Sequence, residues 1–305
     1  MLPYLRLFRL PNLLMIALTQ FLVRYCIIMP AYVTEYRNTG VFPEHLSRIE
    51  FLMLLFSTVV IAAGGYIIND VFDVFTDEIN KPGKNIIGKK ISEKTARMVS
   101  FIFLIVGSVL GTALAIKKHI IVMGLIFPFS AVSLYMYASY YKKRLLVGNL
   151  LIALLSALSV LIVALFEPQF YLNIQFVVIY AVFAFLISFV RELIKDAEDL
   201  DGDERAQSKT FPVRFGLKKT KVLAVFLMII LAGAVGFYLY RYFYHNTVIN
   251  FWYLQGLFMI PFAALIYLIV SAEEKKDFTY ASIFSKLVML YGILTMIPFY
   301  YYFLR

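Results

Sequence analysis

Residues 49–77 read IEFLMLLFSTVVIAAGGYIINDVFDVFTD. After Glu50 there is no charge until Asp70, and then three aspartates follow in quick succession. As an α-helix, an apolar run of this length spans about 30 Å, the thickness of a bilayer's hydrocarbon core. The same kind of run recurs along the chain. Nine transmembrane helices are expected, at roughly 11–33, 49–69, 96–116, 119–141, 147–166, 173–193, 221–240, 249–271 and 283–304. Composition agrees: of 305 residues, 62% are hydrophobic and 16% charged, against about half and about a quarter in soluble domains. Mean hydropathy is +0.80. A soluble globular protein is excluded. The expected fold class is an all-α integral membrane bundle, one polytopic domain over 1–305 with no soluble module. The first run is too long for a cleavable signal peptide, and no small-residue cleavage site follows it.

The basic residues predict orientation. With the N-terminus inside, 22 of the 29 lysines and arginines fall on the cytoplasmic side, which gives N-in, C-out by the positive-inside rule. The net charge of +10 then reflects topology and anionic lipid headgroups, and no nucleic-acid partner is expected. The expected location is the plasma (inner) membrane, multi-pass, with the functional face toward the cytoplasm. One cysteine, Cys26, allows no internal disulfide, and the three histidines share no ligand spacing. Zinc chemistry has no ligands here.

The acids carry the functional signal. Seven of the eight aspartates lie in two stretches, Asp70/Asp73/Asp77 and Asp196/Asp199/Asp201/Asp203. Both contain D-x-x-D-x-x-x-D, 126 residues and four spans apart. On a helix, that spacing brings three carboxylates within about 60° of one another. Each group therefore makes an acidic stripe at the cytoplasmic end of a span. Such stripes repel internally, and the helix C-terminus disfavours anions. Lysines nearby can neutralise a single stripe as solvated ion pairs. Two matching stripes point instead to divalent cations, and oxygen ligands without histidine or cysteine favour Mg²⁺ or Ca²⁺. Facing stripes of this kind can hold a diphosphate between metal ions.

At these residues the chain resembles the UbiA superfamily of intramembrane prenyltransferases. Asn69-Asp70-Val-Phe-Asp73-Val-Phe-Thr-Asp77, followed by Asn80-Lys81-Pro82, is similar to that family's NDxxDxxxD motif and its tail. Arg191-Glu192-Leu-Ile-Lys195-Asp196-Ala-Glu-Asp199-Leu-Asp201-Gly202-Asp203 resembles the second aspartate motif, and Lys209-Thr210-Phe211-Pro212 its close. Weaker echoes are Arg9-Leu-Pro-Asn12 and Tyr137-x4-Lys142-x6-Asn149. Lys84-Asn85 stands where many members carry Arg-Pro, leaving a point charge in place of a bidentate fork.

The resemblance implies an enzyme that transfers an isoprenyl group from an allylic prenyl diphosphate donor to a lipophilic acceptor, with Mg²⁺ as cofactor and membrane lipid around it. Metal ligands would be Asp70, Asp73, Asp77, Asp196, Asp199 and Asp203. Of these, Asp70, Asp73, Asp196 and Asp199 are the central catalytic set. Asn69, Lys81, Lys84, Lys142, Arg9, Asn12 and Lys209 would bind diphosphate or phosphate. The second motif is most similar to the branch that prenylates geranylgeranylglyceryl phosphate; branches that prenylate aromatic acceptors for quinones remain open.

Several residues keep two readings. Arg24 lies within the first span, where arginine is functional by default, or sits near the outer interface beside Glu50. Glu192 and Lys195 form either a structural ion pair or part of the site. Asp201 breaks the spacing and is expected to face solvent. Two other classes fit the sequence less well. The CDP-alcohol phosphotransferases also gather aspartates, but Asp201-Gly202-Asp203-Glu204-Arg205-Ala206 reverses their alanine and arginine, and no aspartate follows Gly216 within Leu217–Thr220. An ion-coupled transporter would place its site near the midplane on broken helices, whereas these acids lie at span ends.

Overall fold

Apolar runs become helices because a helix satisfies its own backbone groups, which hydrocarbon cannot do. The computed structural model describes residues 7–80, 83, 86–172, 174–244 and 248–301. Lys81 and Lys84 lie outside the described residues. Helix α1 (Leu10–Leu22) runs through a π-helical turn (Val23–Ile28) into α2 (Met29–Thr39). Then come α3 (Arg48–Phe72), α4 (Val74–Asn80), α5 (Glu93–Lys117), α6 (Ile121–Gly124), α7 (Ile126–Ser139) and α8 (Val147–Leu165). The second half holds α9 (Ile174–Glu198), α10 (Leu200–Arg205), α11 (Phe211–Phe243), α12 (Val248–Ser271), α13 (Lys275–Leu294) and α14 (Met296–Phe299). Among the described residues, the one non-helical pairing is an isolated bridge between Ile87 and Ile91.

Eight helices are long and apolar enough to cross a membrane; the described apolar part of α12, Gln255–Ser271, is shorter. Several ends differ from expectation, for local reasons. The first span continues to Thr39, where Gly40 closes it at φ 72°. The seventh is preceded by a short helical stretch from Phe211, with Pro212 in its first turn, where its missing N–H costs nothing, and Gly216 at φ 80° breaks the helix between the two. The last starts at Lys275, where Glu274 and Asp277 form a reciprocal cap.

Helix α3 packs against α5 and α7, and α9 against α8, α11 and α13. Close approach is allowed by small residues, with Ser100 Oγ donating to Gly64 O at 2.8 Å across the α3–α5 contact. Arg24 is 2% exposed. Its partner is Glu167 at 3.1 Å, and its guanidinium also donates to Leu46 O. Glu50 is engaged elsewhere, by Lys117 at 3.0 Å and by the Ser47 cap. The pairing with Glu50 is therefore not formed. Glu167 instead accepts from Leu46 N at 3.0 Å and binds Arg24, tying the π-turn to the loops at the far end from the aspartates.

Candidate active site

Each acidic stripe starts where its long helix stops. Helix α3 ends at Phe72, and Asp73 adopts φ −90°, ψ −2° before α4 begins. Helix α9 ends at Glu198, and Asp199 adopts φ −96°, ψ 12° before α10. The middle aspartate of each motif is thus a kink, where the spacing had suggested a straight stripe. The i→i−4 bonds persist across it: Asp73 N to Asn69 O at 2.9 Å and Asp77 N to Asp73 O at 2.7 Å, matched by Asp199 N to Lys195 O at 2.9 Å and Asp203 N to Asp199 O at 3.1 Å. The carboxylates therefore stay on one side across the break between the helices.

Asn80 joins the two motifs. Its Nδ2 donates to Asp199 O at 3.3 Å, and its Oδ1 accepts from Gly202 N at 3.1 Å. Lys275 Nζ donates to Asn80 O at 3.0 Å, which brings α13 to the same junction. Gly202 is required here: an added Cβ would lie 2.7 Å from Asn80 Cγ.

Asp70, Asp73 and Asp196 each have a specific side-chain partner. Arg9 Nη2 meets Asp70 Oδ1 at 2.5 Å, its guanidinium 5.3 Å from the centre of the Tyr66 ring. Arg9 reaches this position from a left-handed backbone, φ 50°, ψ 50°, strained for a residue with a side chain. Asn69 Nδ2 donates to Asp73 Oδ2 at 2.5 Å, and Lys142 pairs with the same oxygen. Asn149 Nδ2 donates to Asp196 Oδ2 at 2.7 Å. Lys142 stands between the stripes, under the charges of Asp73, Asp199 and Asp77. Burial would raise the Asp73 carboxyl, but the Lys142 ammonium outweighs it and holds Asp73 below the ordinary range. Burial pushes Asp203 up to about 6 despite Lys142.

Among the described residues, no three carboxylates, imidazoles or thiolates converge on one point. The aspartates are drawn instead to Arg9, Lys142, Asn69 and Asn149. Two features nonetheless suit a hard divalent cation. The donors are all oxygens, and Asn69 Oδ1 is buried with no hydrogen-bond partner, an unmet acceptor beside Asp73. Lys142 supplies the positive charge that such a cation would bring. The residues fit Mg²⁺.

Below the aspartates a cavity of about 260 Å³ penetrates the bundle. Its mouth carries Arg9, Asn12, Asn69, Arg191, Lys195 and Lys286, and its depth is apolar, reaching Phe127, Tyr180 and Met296. Lining residues on α9 run from Tyr180 to Lys195, a rise of about 22 Å at 1.5 Å per residue. Lys209, by contrast, has an exposed side chain. Its backbone N donates to Lys143 O at 2.9 Å, so this residue joins the loops and does not line the cavity.

The model of the UbiA prenyltransferase family matches residues 36–297. The chain belongs to the UbiA prenyltransferase family. Digeranylgeranylglyceryl phosphate synthase of Sulfurisphaera tokodaii is 34% identical over 253 residues, covering 82% of this chain and 84% of that one. The enzyme of the same name from Saccharolobus solfataricus is 34% identical over 260 residues, 82% and 85% of the two chains. A solved structure described as digeranylgeranylglyceryl phosphate synthase in membranes superposes with a TM-score of 0.64 at 25% identity, over 98% of this chain and 97% of that one. A UbiA homolog from Archaeoglobus fulgidus, bound to GPP and Mg²⁺, shares the fold at TM-score 0.55 and 18% identity, covering 97% and 99%.

Within this family member, the echo after the fourth span proves informative. Tyr137 OH donates to Glu192 Oε2 at 3.3 Å, Lys142 binds Asp73, and Asn149 binds Asp196. Only Lys142 had been chosen from the sequence; Tyr137 and Asn149 were visible in the same pattern. Gly148 lets the segment close up, since an added Cβ would lie 2.9 Å from Tyr141 O. Asn80 also stood in the quoted tail. Glu192 pairs with Arg191 at 2.9 Å, while Lys195 has no ion pair among the described residues. Of the two readings, a direct Glu192–Lys195 ion pair is not formed, although each lies in the other's field.

Proposed function

We propose that this protein transfers an isoprenyl group from an allylic prenyl diphosphate to the free hydroxyl of a glyceryl-phosphate lipid of the geranylgeranylglyceryl phosphate type. The carrying observation is the pair of kinked aspartate motifs, joined through Asn80, over a deep apolar cavity with a cationic mouth. Asp70, Asp73, Asp77, Asp196, Asp199 and Asp203 hold Mg²⁺, with the unpartnered Asn69 Oδ1 as a further oxygen donor. Bound Mg²⁺ neutralises the diphosphate and makes it a better leaving group.

The chain's own residues do the rest. Arg9 at the cavity mouth and Lys142 beside Asp73 hold the charge of the departing diphosphate, and Lys81 and Lys84 follow the first motif in sequence. The apolar walls receive the isoprenoid tail and keep water from the allylic carbon. The allylic C–O bond breaks with its electron pair leaving on the diphosphate. The acceptor oxygen then bonds to that carbon, and its proton passes to the released diphosphate. The similarity to relatives named digeranylgeranylglyceryl phosphate synthase supports this choice of acceptor. The asymmetry of basic residues supports a mouth that opens to the cytoplasm.

Replacing Asp70 or Asp196 by alanine is expected to abolish turnover while the purified protein keeps its helicity and elution volume in detergent. Wild-type rates in both variants would refute the metal assignment.

A further inference from the structure

The cavity mouth carries more positive charge than the diphosphate machinery accounts for. Its described lining includes Arg9, Arg191, Lys195 and Lys286 but a single carboxylate, Glu192. Arg9 is taken by Asp70, and Glu192 is shared between Arg191 and Tyr137. Lys286 has no hydrogen-bond or ion-pair partner among the described residues, and Lys195 has none within ion-pair distance, although it lies in the field of Glu192 and Asp199. The charges acting on Lys286 are Arg191, Arg9 and Lys195, with Glu198 opposing them, and Glu198 already accepts from Thr279 at 3.0 Å.

Lys286 lies well inside the last span, eleven residues past the start of α13, about 16 Å along the helix. A lysine there, facing a cavity and other cations, is costly without an anion. The aspartates that serve the diphosphate sit above this point, at the helix ends. None of the six is among the described lining residues.

We infer that Arg191, Lys195 and Lys286 form a second anion subsite, beside the metal-dependent diphosphate site, which receives the phosphomonoester of the acceptor. This deepens the proposed function and rests on it. A dianion there meets the two unpartnered ammonium groups and one guanidinium. It also anchors the acceptor inside the cavity, on the side of the aspartate motifs. A phosphate-free acceptor of the same apolar length would leave these cations unmatched.

The test uses full-length purified protein and two measurements. In the first, binding of geranylgeranylglyceryl phosphate and of geranylgeranylglycerol is followed by titration in EDTA, without donor. Wild type is expected to bind the phosphorylated lipid without metal, and the alcohol at least about tenfold more weakly, the size of one lost charge-assisted contact. Lys286→Met and Lys195→Met are expected to erase that preference. In the second, steady-state kinetics with Mg²⁺ should show a raised KM for the acceptor and an unchanged KM for geranylgeranyl diphosphate in the same variants. Phosphate-dependent binding that needs Mg²⁺, an equal rise in both KM values, or variants that keep the wild-type preference would each overturn the subsite. A wild type that prenylates only an aromatic acceptor would instead remove the acceptor assignment itself.

Discussion

Lys142 and Arg24 are both cations buried in a membrane protein, and their partners separate their roles. Lys142 pairs with Asp73 between two acidic motifs, so its partner is one that a metal ion can also claim. Arg24 pairs with Glu167, at 3% and 0% side-chain exposure, far from any substrate path. Removing one half of such a pair leaves an uncompensated buried charge. Glu167→Ala is therefore expected to destabilise the protein by about 3–5 kcal/mol, read as a lowered midpoint of thermal unfolding in detergent. An unchanged midpoint would mean that the pair carries no net stability. Arg24 stood out in the sequence because arginine is rare inside a span. Its partner could not be read there, since Glu167 lies in a loop 143 residues away and only packing brings the two together. For the same reason Lys286 read as a topology signal, although its side chain lines the cavity.

At the scale of elements, each motif is a long helix, a break at the middle aspartate and a short helix. The D-x-x-D-x-x-x-D spacing revealed the shared face, because the i→i−4 bonds continue through the break. The break itself has no sequence mark: neither Asp73 nor Asp199 is beside a proline or glycine. What turns the short helices toward each other is the Asn80–Gly202 contact. Gly202→Ala would force Asn80 away from the second motif. Activity is expected to fall at least about tenfold, the cost of displacing site residues by roughly an ångström. The unfolding midpoint should change little, since the contact lies at the edge of the bundle. Unaltered activity would show that the two short helices are positioned by other contacts. The tails of the motifs were legible as pattern, but the bridging role of Asn80 was not, because it spans 119 residues.

For the whole molecule, length and composition sufficed to show a multi-pass bundle, since no soluble fold accommodates so many uninterrupted apolar runs. The cavity could not be foreseen: five long helices besides α9 contribute to it, and its volume depends on how they cross. That cavity, apolar at depth and cationic at its mouth, is what suits the paired motifs to intramembrane transfer. The central claim is metal-dependent prenyl transfer to a glyceryl-phosphate lipid. Its most direct test is to incubate purified protein with labelled geranylgeranyl diphosphate and Mg²⁺, offering geranylgeranylglyceryl phosphate in one reaction and 4-hydroxybenzoate in another. Labelled lipid product is expected in the first reaction alone, and it should vanish when EDTA replaces Mg²⁺. Product only with 4-hydroxybenzoate, or product with the glyceryl phosphate that persists in EDTA, would contradict the account.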